Sequence, residues 1–133
     1  VLGAARAGRK VVLSGDTAPA ASVVEAAAEA DLLIHEATFL ADERVRARET
    51  LHSTAGEAAL VAQEAGVKLL ALTHVSTRYF GHQVVEEATQ LFRATVVPRD
   101  FDLVAIPFPE RGEPELVRAG ARTGSAPIGS LES

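Results

Sequence analysis

Apolar and polar residues occur along the chain in blocks that predict short buried strands. Three apolar runs of strand length are rich in branched side chains, as is typical of strands buried on both faces. They cover residues 10–14 (KVVLS), 31–35 (DLLIH) and 67–73 (VKLLALT). Two shorter runs, at residues 95–97 and 102–107, predict the last strands of the domain.

Helices are predicted between these strands. Residues 20–30 are Ala-rich, and residues 83–93 place apolar side chains at helical spacing. Thr54 and Glu57 have the spacing of a capping box, and the helix that they begin is predicted to end at Gly66. Because strands and helices alternate, we predict an α/β fold in which helices cover a sheet.

Two segments depart from this alternation. Residues 41–49 mix charges of both signs, which favours a solvated face, either an exposed short helix or a lid-like connection. From Pro109 onward Gly, Pro, Ser and Arg dominate. Residues 1–108 are therefore expected to form one domain, and residues 109–133 a solvated or disordered tail.

Composition excludes several classes of protein. The chain has 133 residues, 47% of them hydrophobic, and no apolar run approaches the roughly 20 residues that span a bilayer. Cysteine is absent, which excludes disulfides and thiolate metal sites and fits a cytoplasmic location. The net charge of −5 argues against a simple nucleic-acid-binding domain. The chain begins with Val1 rather than Met, and we expect it to be truncated.

Polar side chains that can bind metal or phosphate follow the predicted strands. Asp16 comes after the first strand, His35 and Glu36 end the second, and His74 follows the third. The carboxyl ends of strands in α/β sheets meet at one edge, where such folds place their sites. His52, just before the capped helix, is a further candidate.

Each of these residues also has an ordinary structural interpretation. Asp16 suits a turn or a helix start. His35 is typical of a hydrogen-bonded interior histidine. His52 and His74 can be explained as residues that precede a helix and end a strand, and His82 as an exposed side chain.

Common catalytic motifs do not occur. After His35 and Glu36 the position that a zincin would fill with histidine is Phe39. Gly-rich phosphate loops and the GxSxG elbow are also absent from the sequence. Ser53 and Ser76 lie near histidines, but no strand-to-helix elbow supports a serine hydrolase.

Four segments taken together resemble the ordered motifs of the ribonuclease Z family. They are SGDT (14–17), HEATF (35–39), HSTAGEAA (52–59) and LTHVSTRY (72–79), and the resemblance covers about residues 9–108. It implies the carboxy-terminal half of a metallo-β-lactamase fold, an αββα sandwich. It further implies a zinc-dependent endoribonuclease that removes the 3′ trailer from precursor tRNA.

The same resemblance assigns a role to each candidate. Asp16 resembles the aspartate that bridges two zinc ions, and His74 a histidine that completes the shell of the second zinc. His52 resembles the histidine that transfers a proton to the leaving 3′ oxygen, a task that suits imidazole near neutral pH.

Other candidates would act around the metals. Ser76 and Arg78 resemble residues that contact RNA phosphate, a suitable use of a hydroxyl and a guanidinium group. His35 and Glu36 are expected to orient the ligands rather than to bind metal.

One part of the family pattern is missing. The family's HxHxDH motif does not occur, because no two of the four histidines lie two residues apart. A catalytic zinc needs about three protein ligands, so we expect the chain alone to bind zinc weakly and not to cleave tRNA. We expect it to pair with the missing amino-terminal half or with a second copy, because half a sandwich exposes an apolar sheet face.

Two alternatives remain open at this point. One is another hydrolase of the metallo-β-lactamase fold, such as a phosphodiesterase or an arylsulfatase relative. The other is a non-catalytic α/β module that binds a partner protein.

Overall fold

A four-stranded parallel sheet forms the centre of the molecule. The computed structural model describes residues 8–120. The strands lie in the order β1–β2–β3–β4 and are all parallel to their neighbours. They are β1 Val11–Leu13, β2 Leu32–Glu36, β3 Leu69–Thr73 and β4 Thr95–Val96. The four corresponding predictions are therefore confirmed: β1, β3 and β4 have slightly narrower bounds than predicted, and β2 is shifted by one residue.

Helices cover one face of this sheet. They are α1 Ala21–Ala26, α2 Arg44–Glu49, α3 Ala55–Ala65 and α4 Gly81–Thr89, with a single turn of 3₁₀ helix at Ala41–Glu43 before α2. Side chains of α3 and α4 join alternate residues of β2 and β3 in the main core. Many of the helix residues in this core are alanines, which allows the helices to lie close to the sheet. None of the helices in residues 8–120 has the length and apolar character needed to cross a membrane.

An antiparallel hairpin covers part of the other face. Its strands are β5 Leu103–Ala105 and β6 Glu115–Val117. Val104 and Ile106 pack against a second core cluster, which is formed by Leu32, Leu69 and Ala71. The molecule thus has a helix layer, a central sheet and part of a second β layer.

The predicted tail is partly wrong. Residues 109–120 contain a 3₁₀ turn at Pro109–Arg111 and the strand β6, which pairs with β5. The Gly and Pro residues of this segment form the connection of a hairpin, which composition alone did not distinguish from a disordered tail. Residues 121–133 lie outside the described part of the chain.

The capping box at the start of α3 is confirmed. The Thr54 hydroxyl accepts a hydrogen bond from the Glu57 N–H at 3.1 Å, and the Glu57 carboxylate accepts one from the Thr54 N–H at 2.9 Å. The helix ends at Gly66, whose φ of 71° is a left-handed conformation that glycine adopts without strain. These two local signals set the bounds of α3, and the capping box fixes the loop that precedes it.

Strand β1 lies at the edge of the sheet and leaves apolar side chains exposed. Val11 is 46% exposed and Leu13 is 69% exposed. Their partners in the register are Leu32 and Ile34, so both side chains lie on the face of the second core cluster. The apolar surface of this face therefore continues past the part that the hairpin covers.

Asp102 joins the two ends of the hairpin, and this link depends on pH. Its carboxylate accepts hydrogen bonds from the Arg99 N–H, the Ala119 N–H and the Arg118 guanidinium at 2.7–2.9 Å. The backbone bonds from Arg99 and Ala119, with a further bond from Arg118, lower the pKa of Asp102 from 3.8 to about 2, although burial acts in the opposite direction. An acid with a lowered pKa stabilises the fold above its ordinary pKa and loses that contribution as it becomes protonated.

We therefore expect the ends of the hairpin to stay joined above pH 4 and to loosen as the pH falls from 3.8 toward 2. Amide hydrogen exchange at Ala119, followed as a function of pH, would measure this loosening. Asp102→Asn should remove the pH dependence and leave the hairpin less protected at neutral pH. An unchanged pH profile in that variant would contradict the assignment.

Candidate metal centre

Three side chains converge at the carboxyl edge of the sheet. Asp16 follows β1, His74 follows β3, and His52 lies in the loop before α3. Each offers a carboxylate oxygen or a ring nitrogen, and these atoms lie within 4.8 Å of one another. The structure thus brings together the two residues that the sequence proposed as metal ligands. His52, which the sequence proposed for proton transfer, is the third member of the cluster.

Glu36, at the end of β2, is the buried acceptor behind this cluster. It is 2% exposed. Its Oε1 accepts hydrogen bonds from His52 Nδ1 at 2.7 Å and from the Thr17 N–H at 3.1 Å. Its Oε2 accepts from the N–H and the hydroxyl of Thr38 at 3.0 and 2.9 Å. One carboxylate therefore joins the loop after β1, the end of β2 and the loop before α3.

The environment of Glu36 keeps it ionised. Burial raises the pKa of Glu36, but the hydrogen bonds from Thr38, His52 and Ser53 together outweigh it, and the pKa lies below its ordinary value. A carboxylate with four donors uses all of its accepting positions. The negative charge of Glu36 is thus stabilised by hydrogen bonds within the protein, and it lies directly behind the exposed cluster.

This network determines which nitrogen of each histidine carries a proton. His52 Nδ1 faces a carboxylate, which only accepts, so Nδ1 is the donor. The Thr38 hydroxyl gives its single proton to Glu36, so it must accept from His74 Nδ1 at 2.8 Å. Both rings are therefore assigned the tautomer that leaves the Nε2 lone pair available. The rings of His52 and His74 also stack, with centroids 5.4 Å apart and planes 16° from parallel.

The backbone around the two histidines is unusual. His74 has a φ of 57°, and Leu51, directly before His52, has a φ of 61°. Non-glycine residues rarely adopt this left-handed region, and such residues concentrate at functional sites. The conformation turns the chain sharply after β3 at the position where His74 joins the cluster.

His35 lies away from the cluster. It is fully buried, and its register partner is Leu72, a member of the main core on the helix side. Its Nδ1 donates to the Glu36 carbonyl at 2.8 Å, and its Nε2 is buried without a hydrogen-bond partner among the described residues. Burial lowers the pKa of His35, which favours the neutral ring. The structure thus places the His35 side chain in the core on the helix side, bonded to the main chain of Glu36.

Ser76 and Arg78 lie in the loop that continues from His74. The Ser76 N–H donates to the Thr38 carbonyl at 3.1 Å, which fixes this loop to the end of β2. The guanidinium of Arg78, 42% exposed, forms an ion pair with Glu43 in the 3₁₀ turn. Arg78 is therefore near the cluster and accessible, but it already has a carboxylate partner.

Sequence reasoning missed the residues that support this loop. The charged stretch 41–49 was predicted to be a solvated face, but Glu43 pairs with Arg78 and Asp42 accepts from the Tyr79 hydroxyl at 2.7 Å. Thr38, which bonds to Glu36 and to His74, was also missed. The signal for it was its place in the HEATF segment, two residues after Glu36, but no role was assigned to it there.

The donor set fits a transition-metal ion. Two imidazole nitrogens and one carboxylate oxygen are ligands that zinc accepts. Both Nε2 lone pairs are free because the opposite ring nitrogens are held by Thr38 and Glu36. Such outer hydrogen bonds to ligating histidines are the usual support of a metal site. Asp16 and His74 therefore form a candidate metal site, with the ring of His52 beside them in the same cluster.

Comparison with known proteins agrees with this geometry. Residues 1–75 match the family model described as "Beta-lactamase superfamily domain". Ribonuclease Z from Haloarcula marismortui is 54% identical over 99 residues, which are 73% of this chain and 32% of that protein.

Two solved structures are similar to the described fold. The short form of human tRNase Z has a TM-score of 0.61 and 35% identity, over 75% of this chain and 34% of that one. The metallo-β-lactamase fold protein YhfI from Bacillus subtilis has a TM-score of 0.62 and 31% identity, over 67% of this chain and 36% of that one.

These comparisons confirm the predicted α/β fold as part of a metallo-β-lactamase fold, a family that implies bound metal ions. The chain spans about a third of the length of the curated relatives that it matches, less than the half that the motifs suggested. It belongs to the β-lactamase superfamily and, within that superfamily, to the ribonuclease Z family.

Proposed function

We propose that this chain is part of a zinc-dependent endoribonuclease that removes the 3′ trailer from precursor tRNA by phosphodiester hydrolysis. The observation that carries the proposal is the convergence of Asp16, His52 and His74 at the carboxyl edge of the sheet. The similarity to proteins named ribonuclease Z and tRNase Z supports the choice of substrate. We further propose that the protein is cytoplasmic and forms a single soluble domain. This domain comprises residues 1–108 together with β6, the second strand of the hairpin.

Asp16 and His74 would hold zinc, two ions in a complete site. The carboxylate of Asp16 has two oxygens, each of which can face one cation, and His74 offers Nε2 because Thr38 holds its Nδ1. Zinc, when bound, supplies positive charge that polarises the phosphodiester and activates water. Ser76 and Arg78 would bind an RNA phosphate. To do so, Arg78 must break its ion pair with Glu43 and pair with the phosphate instead.

His52 would carry a proton to the leaving 3′ oxygen. Its Nδ1 is held by the Glu36 carboxylate at 2.7 Å, so Nε2 is the nitrogen that takes up and releases a proton. The charge of Glu36 stabilises the imidazolium that forms when Nε2 is protonated, and its hydrogen bond keeps the ring oriented. Glu36 is thus the positioning residue for His52, and His35 supports Glu36 from the core.

We expect replacement of Glu36 by Gln to lower the zinc affinity of the chain about 10- to 100-fold. An amide has one accepting oxygen where the carboxylate has two, so some of the four donors lose their partner. A zinc titration followed by the ring signals of His52 and His74 in NMR spectra measures this effect. Glu64→Gln, an exposed carboxylate on α3, is the matched control. Equal affinities in the two variants would contradict the role of Glu36.

The test of the proposed function is cleavage of a precursor tRNA in the presence of zinc. The chain is assayed alone and mixed with the amino-terminal part of a ribonuclease Z that carries HxHxDH. We expect cleavage only in the mixture, because this chain lacks that motif and supplies too few ligands for a catalytic zinc. Cleavage by the chain alone would contradict the ligand count. A mixture that binds zinc without cleaving would contradict the substrate assignment.

The exposed edge of β1 supports the same pairing. Val11 and Leu13 extend the apolar face of the sheet, which suits contact with the missing part of the sandwich or with a second copy of the chain.

A further inference from the structure

A pocket of about 810 Å³ opens beside the candidate metal centre. Its wall begins with Val75 and Ser76, the two residues that follow His74. Two steps along the backbone span at most about 7 Å, so the pocket begins next to the cluster. The volume lies within the range of roughly 300–1,000 Å³ that is usual for small-molecule sites.

A flat pair of rings forms part of this wall. The side chains of Phe80 and His82 stack, with ring centroids 5.8 Å apart and planes only 9° from parallel. Phe80 is 71% exposed, an unusual environment for an aromatic side chain of this size. Tyr79, whose hydroxyl is held by Asp42, also lines the pocket. The pocket therefore offers ring faces to a planar ligand.

Of the two arginines in the wall of the pocket, only Arg99 carries a positive charge that no described residue pairs with. Arg118 shares its guanidinium with Asp102, whereas the side chain of Arg99 forms no ion pair with any residue in the described range 8–120. This charge contrasts with the net charge of −5 of the whole chain. The one acidic side chain in the wall, Glu86, can accept a hydrogen bond from an exocyclic amino group of a base.

We propose that this pocket binds one unpaired nucleotide that flanks the scissile phosphodiester, with its base on the Phe80–His82 pair and its phosphate toward Arg99. Stacked aromatic side chains beside a basic group are the usual means by which proteins hold single-stranded RNA. A purely apolar partner would leave Arg99 without a counter-charge, and a simple anion would not use the ring faces. A nucleotide satisfies both features.

This inference rests on the proposed function, because it assumes that the RNA backbone passes the metal centre. Ser76 belongs to both regions, since it lines the pocket and is bonded to Thr38 behind the metal centre. A nucleotide in the pocket would thus be about one nucleotide along the RNA from the phosphate that lies at Asp16 and His74. Its binding would place that phosphate without touching the metal ligands.

The test measures binding of hexaadenylate RNA to the 133-residue chain by fluorescence anisotropy, without added metal. The comparison ligand is a hexamer with the same sugar-phosphate backbone and no bases. Phe80→Leu removes the ring and keeps an apolar side chain, and Phe80→Trp keeps a ring. Phe101→Ala is the matched control, because Phe101 is 83% exposed and does not line the pocket. Circular dichroism verifies that each variant is folded.

We expect Phe80→Leu to weaken binding of hexaadenylate about tenfold, as is usual when one base loses its stacking partner. The base-free hexamer should bind equally weakly to the original chain and to the Phe80 and Phe101 variants. Phe80→Trp and Phe101→Ala should keep the original affinity. Arg99→Gln should weaken both ligands to the same extent, because it removes a contact to the backbone rather than to a base.

Equal binding of the two hexamers, or an unchanged affinity in Phe80→Leu, would overturn the proposal. So would the absence of binding at millimolar RNA. These outcomes are independent of the cleavage assay, because no metal is present and no metal ligand is changed. RNA binding that depends on Phe80 in a chain that never supports cleavage would retain the pocket and reject the nuclease. Cleavage by the mixture together with RNA binding that Phe80→Leu leaves unchanged would retain the nuclease and reject the pocket proposal.

Discussion

Replacement of Asp16 or His74 by Ala is expected to abolish trailer cleavage in the reconstituted mixture and to weaken zinc binding by this chain. The loss should exceed the roughly 10- to 100-fold that removal of an outer hydrogen-bond partner costs, because a direct ligand is removed. Both side chains are exposed, and their ligand atoms lie within 4.8 Å of each other and of His52. The fold should therefore survive the substitutions while the metal site does not.

The measurements are zinc affinity by calorimetry and the initial rate of cleavage. Asp100→Ala removes an exposed carboxylate from a loop outside the cluster and should change neither quantity. Thermal unfolding of each variant establishes that a lost activity reflects the site rather than the fold. Zinc affinity that stays constant in Asp16→Ala and in His74→Ala would show that the ion binds elsewhere.

Replacement of His52 by Ala is expected to lower kcat about 10²- to 10⁴-fold, the usual contribution of a positioned proton donor. Zinc affinity should fall much less than in His74→Ala. The two histidines share the cluster, but only His52 is bonded directly to the Glu36 carboxylate, an arrangement suited to stabilising a protonated ring. The split between kcat and zinc affinity therefore separates a proton carrier from a ligand.

Two further measurements sharpen this distinction. Added imidazole should partly restore cleavage by His52→Ala, since it can enter the space of the missing ring and carry a proton. The KM for precursor tRNA should change little, because His52 acts on the leaving group. If zinc affinity fell as far in His52→Ala as in His74→Ala, His52 would be a metal ligand, and the role given to it here would be wrong.

Local patterns in the sequence were sufficient to predict most of the elements. The apolar runs of β2 and β3 and the capping box of Thr54 and Glu57 depend on residues close in sequence. Helix α4 was predicted to begin at residue 83 but begins at Gly81. The start was missed because Phe80, rather than a typical polar residue, occupies the cap position. The pairing of β6 with β5 joins residues about a dozen apart across a Pro- and Gly-containing connection, and its sequence pattern predicted a tail.

The candidate site was predictable only as far as its positions at strand ends. Asp16 and His74 follow β1 and β3, the two strands that flank β2 in a parallel sheet, so topology alone brings them to the same edge. The bonds from Glu36 to His52 and from Thr38 to His74 join residues 16 and 36 positions apart. No periodicity encodes such contacts. The ion pair of Glu43 with Arg78, 35 positions apart, was hidden for the same reason.

Among residues 8–120, no strand pairs with the outer edge of β1, which has a practical consequence for handling this protein. A strand edge with exposed Val11 and Leu13 accepts any chain that can hydrogen-bond alongside it. The amino-terminal part and a second copy of the chain therefore compete for one surface, and the complex that forms depends on which of them binds first. Co-expression of the two parts should give more soluble complex than mixing them after separate purification, since the productive partner is then present while the edge first forms.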